Sequence, residues 1–331
     1  MLDGSIVNVA LPAVERDLGG GLAAQQWVVN AYLLLLGSFI LVGGSLGDIY
    51  GERKVFGIGV VAFGICSLGC AIAPNIGILI AARALQGIAG AMVTPSSLAV
   101  IVAAFPADRR GGAIGAWTAW TGISAVAGPL LGGWIVDASS WRWVFAINVP
   151  LVIATTALIL LAVPHVPPIA GRRLDLAGAG LCAVGLGGVM AALIEQPRRG
   201  WDSPMIYGLL AGGVVLFAGF IAYERHTPQP MVKLELFASR NFTAANLETL
   251  VMYGGLSILL FFLVIFLQQV AGYSALRSGL TTIPVTVVMF ALSSRFGMLA
   301  GRFGPRLFMG AGPLVSAAGV LGLLRAGLHT S

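Results

Sequence analysis

Gly44-Ser45-Leu46-Gly47-Asp48-Ile49-Tyr50-Gly51-Glu52-Arg53-Lys54 is a polar stretch set between two long apolar runs. Four of the five charged residues between Asp17 and Asp108 lie in it. Such a stretch reads as a tight turn joining two buried helices. It returns near the other end as Gly297-Met298-Leu299-Ala300-Gly301-Arg302-Phe303-Gly304-Pro305-Arg306. Gly44, Leu46, Gly51 and Arg53 align without a gap on Gly297, Leu299, Gly304 and Arg306. A helix-turn-helix signature repeated far apart in an apolar chain points to two structurally related halves.

The composition says what those helices are buried in. Hydrophobic residues make up 58% of the chain and charged residues 10%, where a soluble domain carries about 25% charged residues. The mean hydropathy is +0.93. The apolar runs are about 20 residues long, the length of a membrane-spanning helix rather than of a barrel strand. The chain therefore reads as an all-α polytopic membrane protein. Its net charge of +6 does not argue for nucleic acid, because the basic residues are spread over loops rather than forming one stripe. With the Asp48 turn placed in the cytoplasm, that side carries Arg53, Lys54, Arg109, Arg110, Arg172, Arg173, Arg225, Lys233, Arg240, Arg302 and Arg306. The opposite side carries Arg16, Arg142, Arg198, Arg199 and Arg277. This is the positive-inside bias.

Apolar runs fall at about 27–47, 55–73, 77–104, 111–136, 143–163, 175–195, 205–223, 243–267, 279–300 and 307–328. A first run, Met1 to Pro12, is about half the length of a span. It reads as the end of a helix, so about eleven spans are expected, counting a partial first one. The turn signature then sets the organisation. Residues 1–163 form an N-terminal six-helix half, 164–240 an inserted helix pair with cytoplasmic linkers, and 241–331 the first three helices of a C-terminal half. On this reading the sequence lacks helical material at both ends. Trp141, Trp143 and Trp201 fall at expected membrane interfaces.

Several residues in these runs are chemically conspicuous. Ser124, Gly128 and Gly132 recur every four residues, as do Thr121, Ala125, Pro129 and Gly133. Together with Gly122 they give a small-residue surface that lets a neighbouring helix approach closely. Pro129 frees a carbonyl and permits a bend. Ordinary helix packing and a hinge helix between the halves are both consistent with this pattern. Arg83, on a run with Gln86, Gly87, Gly90 and Pro95, is a guanidinium inside a span, and such a group normally faces the protein interior or a water-filled cavity. Gln86 shares its face as a polar neighbour. Asp3 would be an intramembrane carboxylate of a complete first helix. A low-dielectric site favours the neutral acid, the form a proton carrier needs. Solvation near a true terminus is the competing reading. Glu248, about two turns into the ninth span, is a second candidate, with a structural hydrogen bond as its alternative. Asn8, Tyr32, Gln86, Trp117, Trp120 and Tyr253 could line a cavity for flat, lipophilic molecules. Cys66, Cys70 and Cys182 read as packing residues without metal-site partners. The chain has no Walker sequence and no zinc-protease or serine-hydrolase motif. It therefore reads as a non-enzyme, without ATP or another cofactor, drawing energy from an ion gradient.

Together these stretches resemble the major facilitator superfamily, and within it the 14-helix drug:proton antiporter branch of EmrB/QacA type. Gly44 to Lys54 looks like its cytoplasmic turn motif and Arg83 to Pro95 like its fourth-helix motif. Gly122 to Gly133 looks like its fifth-helix antiporter motif. Leu2-Asp3-Gly4-Ser5-Ile6-Val7-Asn8-Val9-Ala10-Leu11-Pro12 looks like its first-helix motif, with Ser5 where Thr is usual. Trp141-Arg142-Trp143-Val144-Phe145-Ala146-Ile147-Asn148-Val149-Pro150 also fits the branch. Ile49 and Glu52 depart from the basic residues common in the turn, and Gly301 replaces the Asp in its second copy.

The resemblance implies alternating access in a cytoplasmic membrane. Protons would drive export of lipophilic or cationic compounds, with no cofactor and with room for an accessory export protein. Asp3 would carry or sense the proton, Arg83 would tune it, and Glu248 would be the secondary candidate. Asp48, Gly51, Arg53, Lys54, Arg302 and Arg306 would gate the cytoplasmic side. Gly122, Gly128, Pro129, Gly132 and Gly133 would serve the antiporter helix. The competing reading is a non-transporting membrane protein or assembly partner derived from such a transporter.

Overall fold

A computed structural model of the chain describes residues 2–163, 174–228, 230, 232–285, 287, 288, 292, 295, 296, 299 and 303–323. Helices dominate, and no strand occurs among the described residues. The N-terminal part consists of α1 (Leu2–Leu18), α2 (Gly21–Tyr50), α3 (Glu52–Ala71), α4 (Ile76–Ala104), α5 (Ala107–Ala138), α6 (Arg142–Ala146) and α7 (Asn148–Ala162). The hairpin α8 (Leu176–Arg199) and α9 (Pro204–His226) follows. Then come α10 (Arg240–Ile265), a π-helical turn at Phe266–Val270, α11 (Ala275–Leu280) and α12 (Pro305–Leu323). Seven described stretches are long and apolar enough to cross a membrane. Large apolar side chains such as Leu161, Val215 and Leu250 point outward, as expected of a protein dissolved in lipid.

The opening motif is a sharper break than its sequence indicates. The residues Gly44 to Asp48 do not form a turn, because α2 continues as helix through Tyr50. The chain reverses at Gly51, whose φ of 90° is open to glycine at little cost. Its N–H closes the helix on the Gly47 carbonyl at 2.9 Å. The aligned Gly304 has a φ of 84°, so the two copies share the same helix-breaking residue.

Other positions also depart from what the sequence pattern suggests. The first helix does not end at Pro12 but carries on to Leu18. Proline costs a helix one backbone bond, and Arg16 Nε donates to the Pro12 carbonyl at 3.3 Å. The sixth span, Arg142–Ala162, runs as one helical stretch: between α6 and α7 the backbone of Ile147 stays in the αR region, at φ −59° and ψ −24°. Pro150, in the first turn of α7, has no N–H to continue the ladder. Trp141 is not an interface anchor: it is buried, and its indole N–H donates to Asp17. Trp143 and Trp201 are exposed.

The tightest packing lies in the N-terminal part. There α2 packs on α4, α3 on α4, and α1 on α5. The hairpin α8–α9 rests on α2, and α11 packs on α5. A core of Ile6, Val7, Leu11, Val14, Val28, Leu79, Val144 and Phe145 surrounds α1. The expected loop at Pro164 to Arg173 lies outside the described residues, as do Gly297, Gly301 and Arg302.

Candidate functional site

Inside that core sits one polar cluster. Asp3 on α1 and Arg83 on α4 are 5% and 1% exposed. Arg83 NH1 donates to Asp3 Oδ2 at 2.6 Å and to Gln86 Oε1 at 2.7 Å. Gln86 Nε2 donates to Asp3 Oδ1 at 3.2 Å. Asn148, at the start of α7, donates to Asp3 Oδ1 and to Ser67 Oγ, both at 2.9 Å. Ser67 donates onward to the Phe145 carbonyl at 2.8 Å, and Cys70 Sγ lies 3.8 Å from Gln86 Oε1. Arg83 is also tied to α2. Its Nε donates to the Val28 carbonyl at 3.1 Å, and its guanidinium lies 4.2 Å from the centroid of the Tyr32 ring.

The i, i+3 spacing of Arg83 and Gln86 puts both on one face of α4, where they close a ring with Asp3. A buried ion pair survives only when further hydrogen bonds satisfy its remaining polar atoms. Here α2, α4 and α7 supply partners to a single carboxylate–guanidinium pair, and α3 joins the network through Ser67. Asp3, as a carboxylate, accepts three donors. Three of the four lone-pair sites of that group are therefore filled, within a closed apolar shell.

The Gly122–Gly133 stretch lies in α5 and works on two sides. A Cβ at Gly128 would collide with Ser5 of α1, and one at Gly132 would lie 2.6 Å from Ile6 Cγ1. A Cβ at Gly133 would lie 2.6 Å from the Ala275 carbonyl oxygen of α11, and one at Gly279 would strike the Pro129 carbonyl. The small residues thus seat α1 on one flank and, across the two halves, α11 on the other. Asp137 fixes this seam by accepting the N–H of Ala275 at 3.1 Å and that of Leu276 at 2.9 Å. A second tie between the halves runs from Gln268 Nε2, in the π-helical turn, to the Val9 carbonyl at 3.0 Å. At the same end Arg142 NH2 is 3.2 Å from Asp17 Oδ2, and its NH1 donates to the Ala73 carbonyl at 2.9 Å.

The other candidates are dispersed. Arg53 NH2 donates to the Leu160 carbonyl at 2.6 Å. Lys54 and Arg306 are exposed, and Asp48 is half-buried in the last turn of α2. A groove of about 640 Å³ runs beside Arg53 and Lys54 between α3 and α7, on the outer surface and away from Asp3. Tyr32 and Gln86 belong to the Asp3 cluster and are 8% and 0% exposed. Asn8 is half-buried on α1, and Trp117 is half-buried on α5. Trp120 and Tyr253 are largely exposed. Glu248 is half-buried on α10 and does not join the Asp3 cluster. Sequence reasoning did not single out Asn148 or Ser67 as members of the cluster.

The model of the Major Facilitator Superfamily matches residues 1–330. The chain belongs to the major facilitator superfamily. Superfamily relatives include the multidrug resistance protein Stp of Mycobacterium tuberculosis (strain CDC 1551 / Oshkosh), 37% identical over 98% of this chain and 60% of that protein. The tetracenomycin C resistance and export protein of Streptomyces glaucescens is 34% identical over 97% of this chain and 60% of its own length. The multidrug transporter protein MdtP of Bacillus subtilis (strain 168) is 34% identical over 100% of this chain and 61% of its own. The chain spans about three-fifths of the length of these three relatives. Among solved structures, the peptide transporter POT in complex with sulfate superposes with a TM-score of 0.62 at 16% identity, over 92% of this chain and 67% of that one. The proton:xylose symporter XylE gives 0.55 at 15% identity, over 90% and 65%. At such identities the likeness is one of fold. The superfamily is one of multi-pass membrane transporters rather than enzymes.

Proposed function

We propose that the chain belongs to a proton-coupled antiporter. It exports lipophilic or cationic compounds across the cytoplasmic membrane by alternating access. The observation that carries this reading is the buried Asp3–Arg83 pair, enclosed within membrane-spanning helices. An ionisable residue in that setting marks an ion or proton pathway by default. The names of the relatives, multidrug and antibiotic resistance proteins among them, support a drug-like substrate. In this mechanism Asp3 takes up a proton from outside and yields it to the cytoplasm. Arg83 holds the ionised form in place. The seam of α5 against α11 closes the outer side while the cavity faces inward. The Gly51 turn with Arg53 and Lys54 serves the cytoplasmic side, where Arg302 and Arg306 belong to its second copy. The proton gradient is the energy source, no cofactor is required, and an accessory export protein would extend the route beyond the membrane.

The test uses inverted membrane vesicles from cells expressing the protein from its native reading frame, with ethidium as a planar lipophilic cation. Vesicles made acidic inside should accumulate ethidium, and a protonophore should abolish the accumulation. Equal accumulation with and without the protonophore would contradict proton coupling. No accumulation at all would contradict export of this substrate class.

A further inference from the structure

Asn148 has more to do with Asp3 than packing requires. Its side-chain nitrogen has two protons, and both are committed, one to Asp3 Oδ1 and one to Ser67 Oγ. It stands directly after Ile147, where α6 passes into α7 within the αR region, and two residues before Pro150. A proline within a helical stretch is where it bends. From there α7 packs on α3, the helix that carries Ser67. Among the described residues, Asn148 is the side chain by which the sixth span holds Asp3.

Two of the three partners of Asp3, Arg83 and Asn148, are anchored unequally. Arg83 keeps the Val28 carbonyl, Gln86 and the Tyr32 ring whatever happens to Asp3. Asn148 without Asp3 keeps Ser67 alone. An ionised carboxylate offers only acceptor atoms, while a protonated one must place an O–H. Oδ1 already accepts from Gln86 and Asn148 and Oδ2 from Arg83 alone, so the proton takes the free site on Oδ2; Oδ1 then becomes a neutral acceptor, and the hydrogen bond from Asn148 loses about half its strength. The charged groups around this event are Asp3 and Arg83 themselves, and the other titratable side chains nearest them are Tyr32 and Cys70.

We propose that Asn148 is a positioning residue that passes the charge state of Asp3 to the sixth span. Ionised Asp3 holds Asn148, and with it the hinge above α7, against α1. Protonation releases Asn148 to Ser67 and lets α7 swing at Pro150. This inference rests on Asp3 being the coupling carboxylate, and its test separates the two ideas.

The experiment places spin labels at Val102→Cys and Leu161→Cys, at the exposed cytoplasmic ends of α4 and α7, with the native cysteines replaced. Pulsed EPR in lipid then gives the distance distribution. Asp3→Asn, which is uncharged and carries both donor and acceptor atoms like the neutral acid, should shift it by ~3 Å, about half a helical turn. Asn148→Leu, close in volume but without donors, should give the same shift, and the double variant no more. Ser67→Ala should leave the parental distance unchanged alone and widen the distribution on top of Asp3→Asn. Asn148→Leu should also cut ΔpH-driven ethidium accumulation about tenfold, the scale of one lost hydrogen bond to a charged group. It should do so while sparing ethidium counterflow. A parental distance in both Asp3→Asn and Asn148→Leu overturns the role of Asn148. If Asp3→Asn still drives ethidium on the proton gradient, the coupling reading itself falls. Equal loss of accumulation and counterflow in Asn148→Leu would reduce the residue to a structural support.

Discussion

Gly133→Ala is the smallest change that should open the outer seam. The added Cβ would stand 2.6 Å from both the Ala275 carbonyl oxygen and Leu276 Cα, where non-bonded atoms settle at about 3.5–4.0 Å. Both obstacles are backbone, so no side chain can rotate out of the way and α11 must withdraw by roughly 1 Å. Overpacking of this kind costs about 1–3 kcal/mol. It falls on the outer-closed state, because that is the state in which α5 and α11 touch. At about 1.4 kcal/mol per factor of ten, the open population should rise roughly 5- to 150-fold. Ser278 reports this directly, since it is fully buried on α11 and near-isosteric with cysteine. In intact cells an impermeant maleimide should label Ser278→Cys slowly, and faster by that factor when Gly133→Ala is added. Alanine favours helix, so protein abundance should hold. Labelling rates within about twofold of each other would refute the idea that the contact is a seam that opens in the cycle.

Two further outcomes follow from the placement of charge. Lys54→Cys should resist impermeant labelling in intact cells while Trp201→Cys is labelled readily, because the first belongs to the basic, cytoplasmic side. The reverse pattern would invert the topology. Glu248→Gln should lower proton-driven ethidium accumulation by no more than about twofold, since Glu248 stands apart from the Asp3 cluster on α10 and a group outside a network contributes little to it. Loss comparable to that of Asp3→Asn would make it a second coupling site.

What the sequence disclosed, and what it hid, divides along physical lines. Arg83 and Gln86 share a helix face by spacing alone, and an arginine in an apolar run is conspicuous on cost. Asp3 was conspicuous for the same reason. The glycine at which the repeated turn breaks could be read from the alignment of Gly51 with Gly304, but the length of α2 could not, because Gly44 to Asp48 look like a turn and lie in helix. Asn148 and Ser67 were invisible as partners. Each is a small polar residue in an apolar run, and their meeting with Asp3 is a contact between distant helices that no local period encodes. Trp141 and Arg142 read as an anchor and a loop charge. Their role depends on α1 continuing past Pro12 to bring Asp17 within reach. The small-residue pattern of α5 announced close approach but not its two different neighbours.

The central claim is that protons move through Asp3, and it can be measured as stoichiometry. The protein is reconstituted in liposomes with an acidic interior, a pH-sensitive dye inside and ethidium outside. The parental protein should give an ethidium-dependent alkalinisation of the interior, as protons leave in exchange for dye. Asp3→Asn should insert at parental abundance and give no ethidium-dependent proton flux, because an amide cannot release a proton. An Asp3→Asn protein that still exchanges protons for ethidium at the parental ratio would contradict the account.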